Sequence, residues 1–505
     1  MTTSWKLFKS LLFWFFLAIV FKQILWLGMA PLWQFPDEVA HFSQVQNTIE
    51  FGINSGRFTS DEIVFSEKKL GMYPDKQGLN SYSFHPEYNI QYSDTIIGID
   101  EQAIRKAGGR RTYEDGLRET SSYPFLYYVL SGQFYSLSYH SDLITRVFTT
   151  RLFSVFIFTA TVGVAYLIGK TAFKDKLLAV TFASLLAFQP MFSFMGAAVN
   201  SDVLFNFIFT LFLYGCVRVL KSFEDKLGWM IVVASLCLGV VTKQQMVIGI
   251  LIFPFVLVYH YRALKRIIQK KSIKYVGVLV LSLVLIVSLA LVPGNAKTIL
   301  NYIRETGKGV EKVSLWRYLY DSLLRTYRVV LPWYWGVFKW LGVTLPRWVN
   351  RAQMLTLLTA GLGIEIYWIK KIAKKTFQVA TFSDVVALFS IYATLVYFLG
   401  LTLWDWQFRN AHGYSFELQG RYFFPVIATH MYLIIYGLAK LCEALIGGKY
   451  LKVISGVLVG WWIVLHSIGL KTFAEAYFSL SSWNKFSLQA SQYKPALFKG
   501  DWWYL

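Results

Sequence analysis

Apolar runs long enough to cross a lipid bilayer recur along this whole chain, and they leave little freedom in what it can fold into. They fall at roughly 10–30, 147–169, 177–195, 202–220, 228–241, 244–260, 275–292, 352–369, 383–403, 422–440 and 451–470. A membrane helix needs about 20 apolar residues, and its backbone must satisfy itself where no water reaches. The expected class is therefore an all-α polytopic membrane protein with about eleven transmembrane helices. Composition agrees, since 55% of the 505 residues are hydrophobic and only 16% are charged, where a soluble domain carries about 25% charge. No linker or internal repeat divides the chain, so 1–505 reads as a single membrane domain.

The formal net charge of +21 would point to nucleic acid in a soluble protein. Here the basic residues gather in short loops: "KTAFKDK" (170–176), "KSFEDK" (221–226), "YRALKRIIQKKSIK" (261–274), "KKIAKK" (370–375) and the Lys449/Lys452 pair. The positive-inside rule makes these loops cytoplasmic. Eleven spans with a cytoplasmic N-terminus place every one of them inside, although the runs over 228–260 also suit one shallow hairpin. The bilayer is then the partner that the charge pattern implies, and nucleic acid is not expected. Lys6 and Lys9 precede a run too long for a signal-peptide core, so that run is expected to remain as the first span. Cys216, Cys237 and Cys442 sit in or beside apolar runs without paired spacing and read as packing residues.

Residues 31–146, 293–351, the connection near 403–422 and the tail 471–505 then fall outside. The segment "SSYPFLYYVLSGQFYSLSYH" (121–140) is apolar but broken by Pro124 and Gly132. Full crossing would invert every later loop, so it is expected to lie in the outer interface. About 50–120 reads as an exposed loop with short helices. The tail's "DWWYL" and Trp483 suit an aromatic interfacial layer.

Polar residues stand out where the spans meet this outer side. "FPDEVAHFSQVQ" begins at Phe35. Proline followed by acidic residues is a good helix start. If Pro36 opens that helix, Asp37 and His41 share one face. Asn200 and Asp202 in "AAVNSDVLF" mark a span's outer end, where Ser201 or Asp202 would also serve as a cap. Lys243 in "VTKQQMV" suits either snorkelling or a phosphate. Arg421 in "LQGRYFFPV", beside Tyr422, stands where outer loops disfavour arginine, and a guanidinium fits a phosphate. "VLPWYWGVFKWLGVTLPRW" (330–348) holds Trp333, Trp335, Trp340 and Trp348. It suits an aromatic belt, or a wall on which Trp335 stacks against a sugar or isoprenoid. Most span interiors are clean; Lys22 is an exception, and snorkelling would explain it.

Taken in order, "PDEVAHF", "YPFLYYV", "VNSD", Lys243, "WYWGVFKWLGVTLP" and "QGRYFFPV" resemble the ordered motifs of the DUF2142 membrane proteins. The chain has Val39 and Phe125 where that family usually has proline. The family in turn resembles the GT-C glycosyltransferases. That resemblance implies a multispanning fold with a large first outer loop bearing interfacial helices. It also implies a polyprenyl-phosphate-linked sugar donor and a carboxylate early in that loop as general base, the position of Asp37. On this expectation Arg421 and Lys243 hold the phosphate, while Glu38 and His41 orient Asp37 or bind a glycan or glycolipid acceptor. Asn200, Asp202, Trp335 and Tyr422 line the substrates. No DxD pair or histidine cluster points to a metal, so no cofactor is expected. A flippase or a polymerase of lipid-linked glycans shares the multispanning, aromatic-rich character. A flippase should carry charges at mid-depth.

Overall fold

The computed structural model describes residues 2–53, 58–70, 94–107, 112–115, 120, 123–173, 175–261, 312–339, 341–373, 381–413, 415, 418–447 and 450–477. The first half holds α1 (Thr2–Met29), α2 (Glu38–Phe51), β1 (Phe58–Ser60), α3 (Asp61–Lys69), α4 (Asp94–Ala107), β2 (Tyr113–Asp115), α5 (Leu126–Leu137), α6 (Leu143–Ala172), α7 (Lys176–Ala187) and α8 (Pro190–Met195). Then follow α9 (Ser201–Lys221), α10 (Lys226–Val240), a 3-10 turn (Gln244–Met246), α11 (Val247–Ile252) and α12 (Pro254–Tyr259). The second half holds α13 (Leu315–Arg325), a π-helical turn (Thr326–Val330), α14 (Leu331–Trp335), β3 (Val337–Phe338), β4 (Val343–Thr344), α15 (Arg347–Ala373) and α16 (Phe382–His412). A second 3-10 turn (Gly420–Val426) leads into α17 (Ile427–Ile446), and α18 (Leu451–Tyr477) completes the described chain.

Among the described residues, seven helices are long and apolar enough to cross a membrane: Leu11–Met29, Leu143–Ala172, Ser201–Lys221, Arg347–Ala373, Phe382–His412, Gly420–Ile446 and Leu451–Tyr477. The runs expected at 177–195, 228–241 and 244–260 are shorter apolar helices. The run at 275–292 and the tail motifs beyond Tyr477 lie outside the described residues. The protein is a helical, multi-pass membrane protein.

Acidic and amide side chains at the loops fix where helices begin, because each satisfies a backbone N–H that has no partner inside the helix. Asp142 accepts from Thr145, Asp175 from Leu177 and Asp225 from Gly228. Thr381 and Asp384 form a reciprocal capping box at the start of α16. Close packing of α15 on α17 depends on glycine. A Cβ at Gly363 would stand 2.0 Å from the Gly437 carbonyl oxygen, so only small residues allow the backbones this near.

The short helices expected over 50–120 are α3 and α4, but the described part of that region is not all exposed. Strands β1 and β2 pair antiparallel, and Glu62 of α3 is buried in an ion pair with Arg146 of α6 at 2.5 Å. The β3–β4 pair is the other short strand pair, and the fold remains that of a mostly helical, all-α membrane protein. Lys22 does not snorkel. Its Nζ donates to the Ala187 carbonyl and, at 2.7 Å, to Ser193 Oγ. These groups flank the break between α7 and α8, where the Ala187 carbonyl at the end of α7 also accepts from Ser193 Oγ at 3.0 Å. Finally, α5 is only 12 residues long, about 18 Å, too short to cross. Its Tyr127, Tyr128, Ser131 and Tyr135 face inward against α2 and α6. All three cysteines are unpaired, with Cys216 and Cys442 buried.

Candidate functional site

Helix α2 begins at Glu38, not at Pro36 as the sequence pattern implies. The His41 amide donates to the Asp37 carbonyl at 3.1 Å, so Asp37 occupies the cap position. Its backbone is left-handed, with φ 59° and ψ 12°, and its side chain caps nothing. A non-glycine residue rarely adopts this conformation, though aspartate tolerates it better than most. Such strain persists only where the surroundings over-determine it, and here they do. Asn200 Nδ2 donates to the Pro36 carbonyl at 3.1 Å, and Arg151 donates to the carbonyls of Leu27, Ala30 and Pro31.

Arg151 also grips Glu38 with two parallel bonds, Nε to Oε1 at 2.8 Å and Nη2 to Oε2 at 2.6 Å. Both side chains are fully buried, and the Val199 amide adds a third bond to the Glu38 carboxylate at 3.3 Å. Glu38 therefore does not face a substrate. It is the structural anchor of the Asp37 turn, tying α1, α2, α6 and the approach to α9 together.

The left-handed turn sends the Asp37 carboxylate away from its own helix. Its Oδ2 accepts from Arg421 Nη2 at 2.7 Å. Asp37 keeps 32% of its side-chain surface exposed, whereas Arg421 keeps 5%. Arg421 Nε and Nη1 are buried and have no hydrogen-bond partner. Its guanidinium carbon lies 5.3 Å from the Tyr422 ring centre. Backbone contact sets this position. A Cβ at Gly420 would stand 2.2 Å from the Tyr334 amide nitrogen, so α14 presses directly on the residue before Arg421.

A second ion pair joins Lys243 Nζ to Asp202 Oδ1. Asn200, rather than Ser201 or Asp202, caps α9, with its Oδ1 accepting from the Asp202 amide at 2.9 Å. His41 lies between the pairs. Its Nδ1 is 3.0 Å from Tyr128 Oη, and the two rings stack at 5.9 Å. Burial lowers the His41 pKa to about 4, with Asp37 and Asp202 opposing the shift and Lys243 and Arg421 adding to it. His41 is thus neutral near pH 7 and unsuited to orienting Asp37 as a cation.

The sign of that shift gives a stability prediction. Between the unfolded value near 6.5 and the folded value near 4, the unfolded chain binds more protons, so stability falls as pH drops through this window. The full contribution is about 3 kcal/mol. Detergent-purified wild type should lose thermal stability between pH 6.5 and 4.5 more steeply than His41→Gln. Parallel profiles would refute the assignment.

Trp335 is not brought to this cluster. It is buried, packing edge-on against Tyr334 at 5.1 Å and Trp462 at 5.9 Å, so no face is open for a sugar. Asp37, Asn200, Asp202, Lys243, Arg421 and Tyr422 do converge around His41. Arg151 was not among the sequence candidates, yet an arginine within an apolar run is itself a signal of a buried partner. Chemically, the cluster offers one accessible carboxylate able to take a proton and two cations able to hold an anion. Among the described residues no three His, Cys, Asp or Glu side chains could hold a metal ion together.

A family profile described as "Predicted membrane protein (DUF2142)" matches residues 20–429, which include every residue of this cluster. A search of curated proteins returns no match.

Proposed function

The chain belongs to the DUF2142 family of membrane proteins, and from that premise we propose that it is a GT-C-type glycosyltransferase. It moves a sugar from a polyprenyl-phosphate donor to a hydroxyl of a cell-surface glycan or glycolipid, on the extracytoplasmic face of the cell membrane. The observation that carries this reading is the Asp37–Arg421 pair. A half-open carboxylate on a strained turn touches a buried guanidinium whose Nε and Nη1 have no hydrogen-bond partner.

In the proposed reaction Asp37 removes the proton from the acceptor hydroxyl as that oxygen attacks the anomeric carbon. The bond from that carbon to the phosphate oxygen breaks on the opposite face, giving inversion. The departing polyprenyl phosphate carries the negative charge. Arg421, with Lys243 nearby, stabilises that charge. An incoming phosphate competes with Asp37 for Arg421, so donor binding frees the base for the acceptor. Tyr422 and Asn200 shape the rim. Lys22, a charge inside the first span, is engaged at the α7–α8 break rather than open to a pathway, which favours this reading over a flippase.

The test uses purified protein in detergent with a short-chain polyprenyl-phosphate sugar, or the matching nucleotide sugar, and an acceptor glycan. Arg421→Lys keeps the charge but loses the two-pronged geometry, and should weaken donor use by about 10-fold to 100-fold. Turnover with the nucleotide sugar alone, or an Arg421→Lys protein that uses the lipid donor as well as wild type, would sink the proposal.

A further inference from the structure

Helix α13 is amphipathic, but it faces the wrong way for a helix in water. Trp316, Tyr320, Leu323, Leu324 and Tyr327 recur at the spacing of one helical stripe, running on into the π turn. They are 81%, 64%, 58%, 41% and 63% exposed. The polar side is the one turned inward. Tyr318 Oη donates to Asp405 Oδ2 of α16 at 2.5 Å. Ser415 Oγ donates to the same oxygen at 2.8 Å, and Arg325 Nη1 donates to Ser415 Oγ at 2.9 Å. Asp405 is fully buried. An amphipathic helix at a protein–water boundary shows the reverse arrangement.

We propose that the outward stripe of α13 and the π turn lies in the headgroup–acyl boundary of the bilayer, and that it recognises an anionic lipid surface. Three further observations favour lipid over a second protein chain. The stripe is rich in Trp and Tyr, whose rings prefer that boundary. It covers about 16 Å, and Arg317 and Arg328 are exposed along one edge, suited to lipid phosphates. Asp321 shares that edge and leaves it net positive. The spanning helix that anchors α13 carries its own exposed apolar residues, Leu395, Leu399, Leu403 and Trp404, as a lipid-facing helix does.

The placement also sets the depth of the cluster. The π turn continues into α14, which touches Gly420 beside Arg421. Arg421 therefore opens at headgroup level, whatever chemistry occurs there.

The experiment uses full-length protein with Cys216, Cys237 and Cys442 replaced by alanine. One bimane-labelled cysteine is placed at Tyr320→Cys or, as a second site, Leu324→Cys. The protein is reconstituted in vesicles of equal parts phosphatidylcholine and phosphatidylglycerol. Lipids bearing a nitroxide high on the acyl chain should quench both labels several-fold more than aqueous iodide does. A label at Asp321→Cys should show the opposite ranking. Omitting phosphatidylglycerol should lower lipid quenching several-fold in protein with the native arginines and should leave it unchanged in the Arg317→Gln, Arg328→Gln variant; equal quenching with and without phosphatidylglycerol in the native-arginine protein would overturn the anionic-lipid preference. Dominant iodide quenching at positions 320 and 324 would overturn the proposal. Protection from both quenchers, the sign of a protein partner or a second copy, would overturn it equally.

Discussion

Asp37→Asn is expected to abolish most sugar transfer while leaving the protein folded. Loss of a general base typically lowers rate by about 100-fold to 10,000-fold. Asparagine has nearly the same shape as aspartate and tolerates the left-handed backbone that residue 37 adopts, so the turn held by Asn200 and Arg151 should survive. A second effect separates catalysis from simple damage. The neutral amide no longer competes as an anion for Arg421, so donor phosphate meets a freer guanidinium. The donor KM should stay level or fall while kcat collapses. Initial rates across a donor series, alongside gel filtration, measure both. Near-normal transfer by a monodisperse Asp37→Asn protein would leave Asp37 with a structural role only.

The sequence exposed the ends of spans better than it exposed what those ends touch. Asp37, Asp202, Lys243 and Arg421 were legible because each is a charge at the edge of an apolar run, where burial demands a partner. Their convergence around His41 was not legible, because the partners come from elements far apart in the chain. Arg421 and Asp37 are 384 positions apart. Glu38 was open to two readings, orienting Asp37 or binding an acceptor. Its side chain points into a fully buried pair with Arg151, which suits holding the Asp37 turn and not meeting an acceptor. Trp335 failed because aromatic content marks a surface that packs without saying against what. Periodicity likewise reveals a stripe on α13 but not that the polar side is the buried one. That depends on Asp405 and Ser415 waiting across the interface. The helix start at Glu38 rather than Pro36 reflects tertiary bonds overriding a local capping preference.

Breaking the Glu38–Arg151 pair should be the most destabilising single change near the site. Removing one partner of a buried ion pair strands the other charge and typically costs about 3–5 kcal/mol. The two sides are not equivalent here. Glu38→Gln leaves the guanidinium its three backbone carbonyl partners at Leu27, Ala30 and Pro31. Arg151→Met strands the carboxylate and those carbonyls together, so it should be the worse of the two. The double variant Glu38→Gln, Arg151→Met removes both charges but still leaves the carbonyls without donors, so it should recover only part of the loss. Both single variants should also lower transfer, because the Asp37 turn hangs from this anchor, whereas Asp37→Asn should lower transfer without losing stability. Thermal unfolding of the four detergent-purified proteins forms a double-mutant cycle that reads the coupling directly. Additive losses, with no rescue in the double variant, would show that Glu38 and Arg151 act separately and that the turn is held some other way.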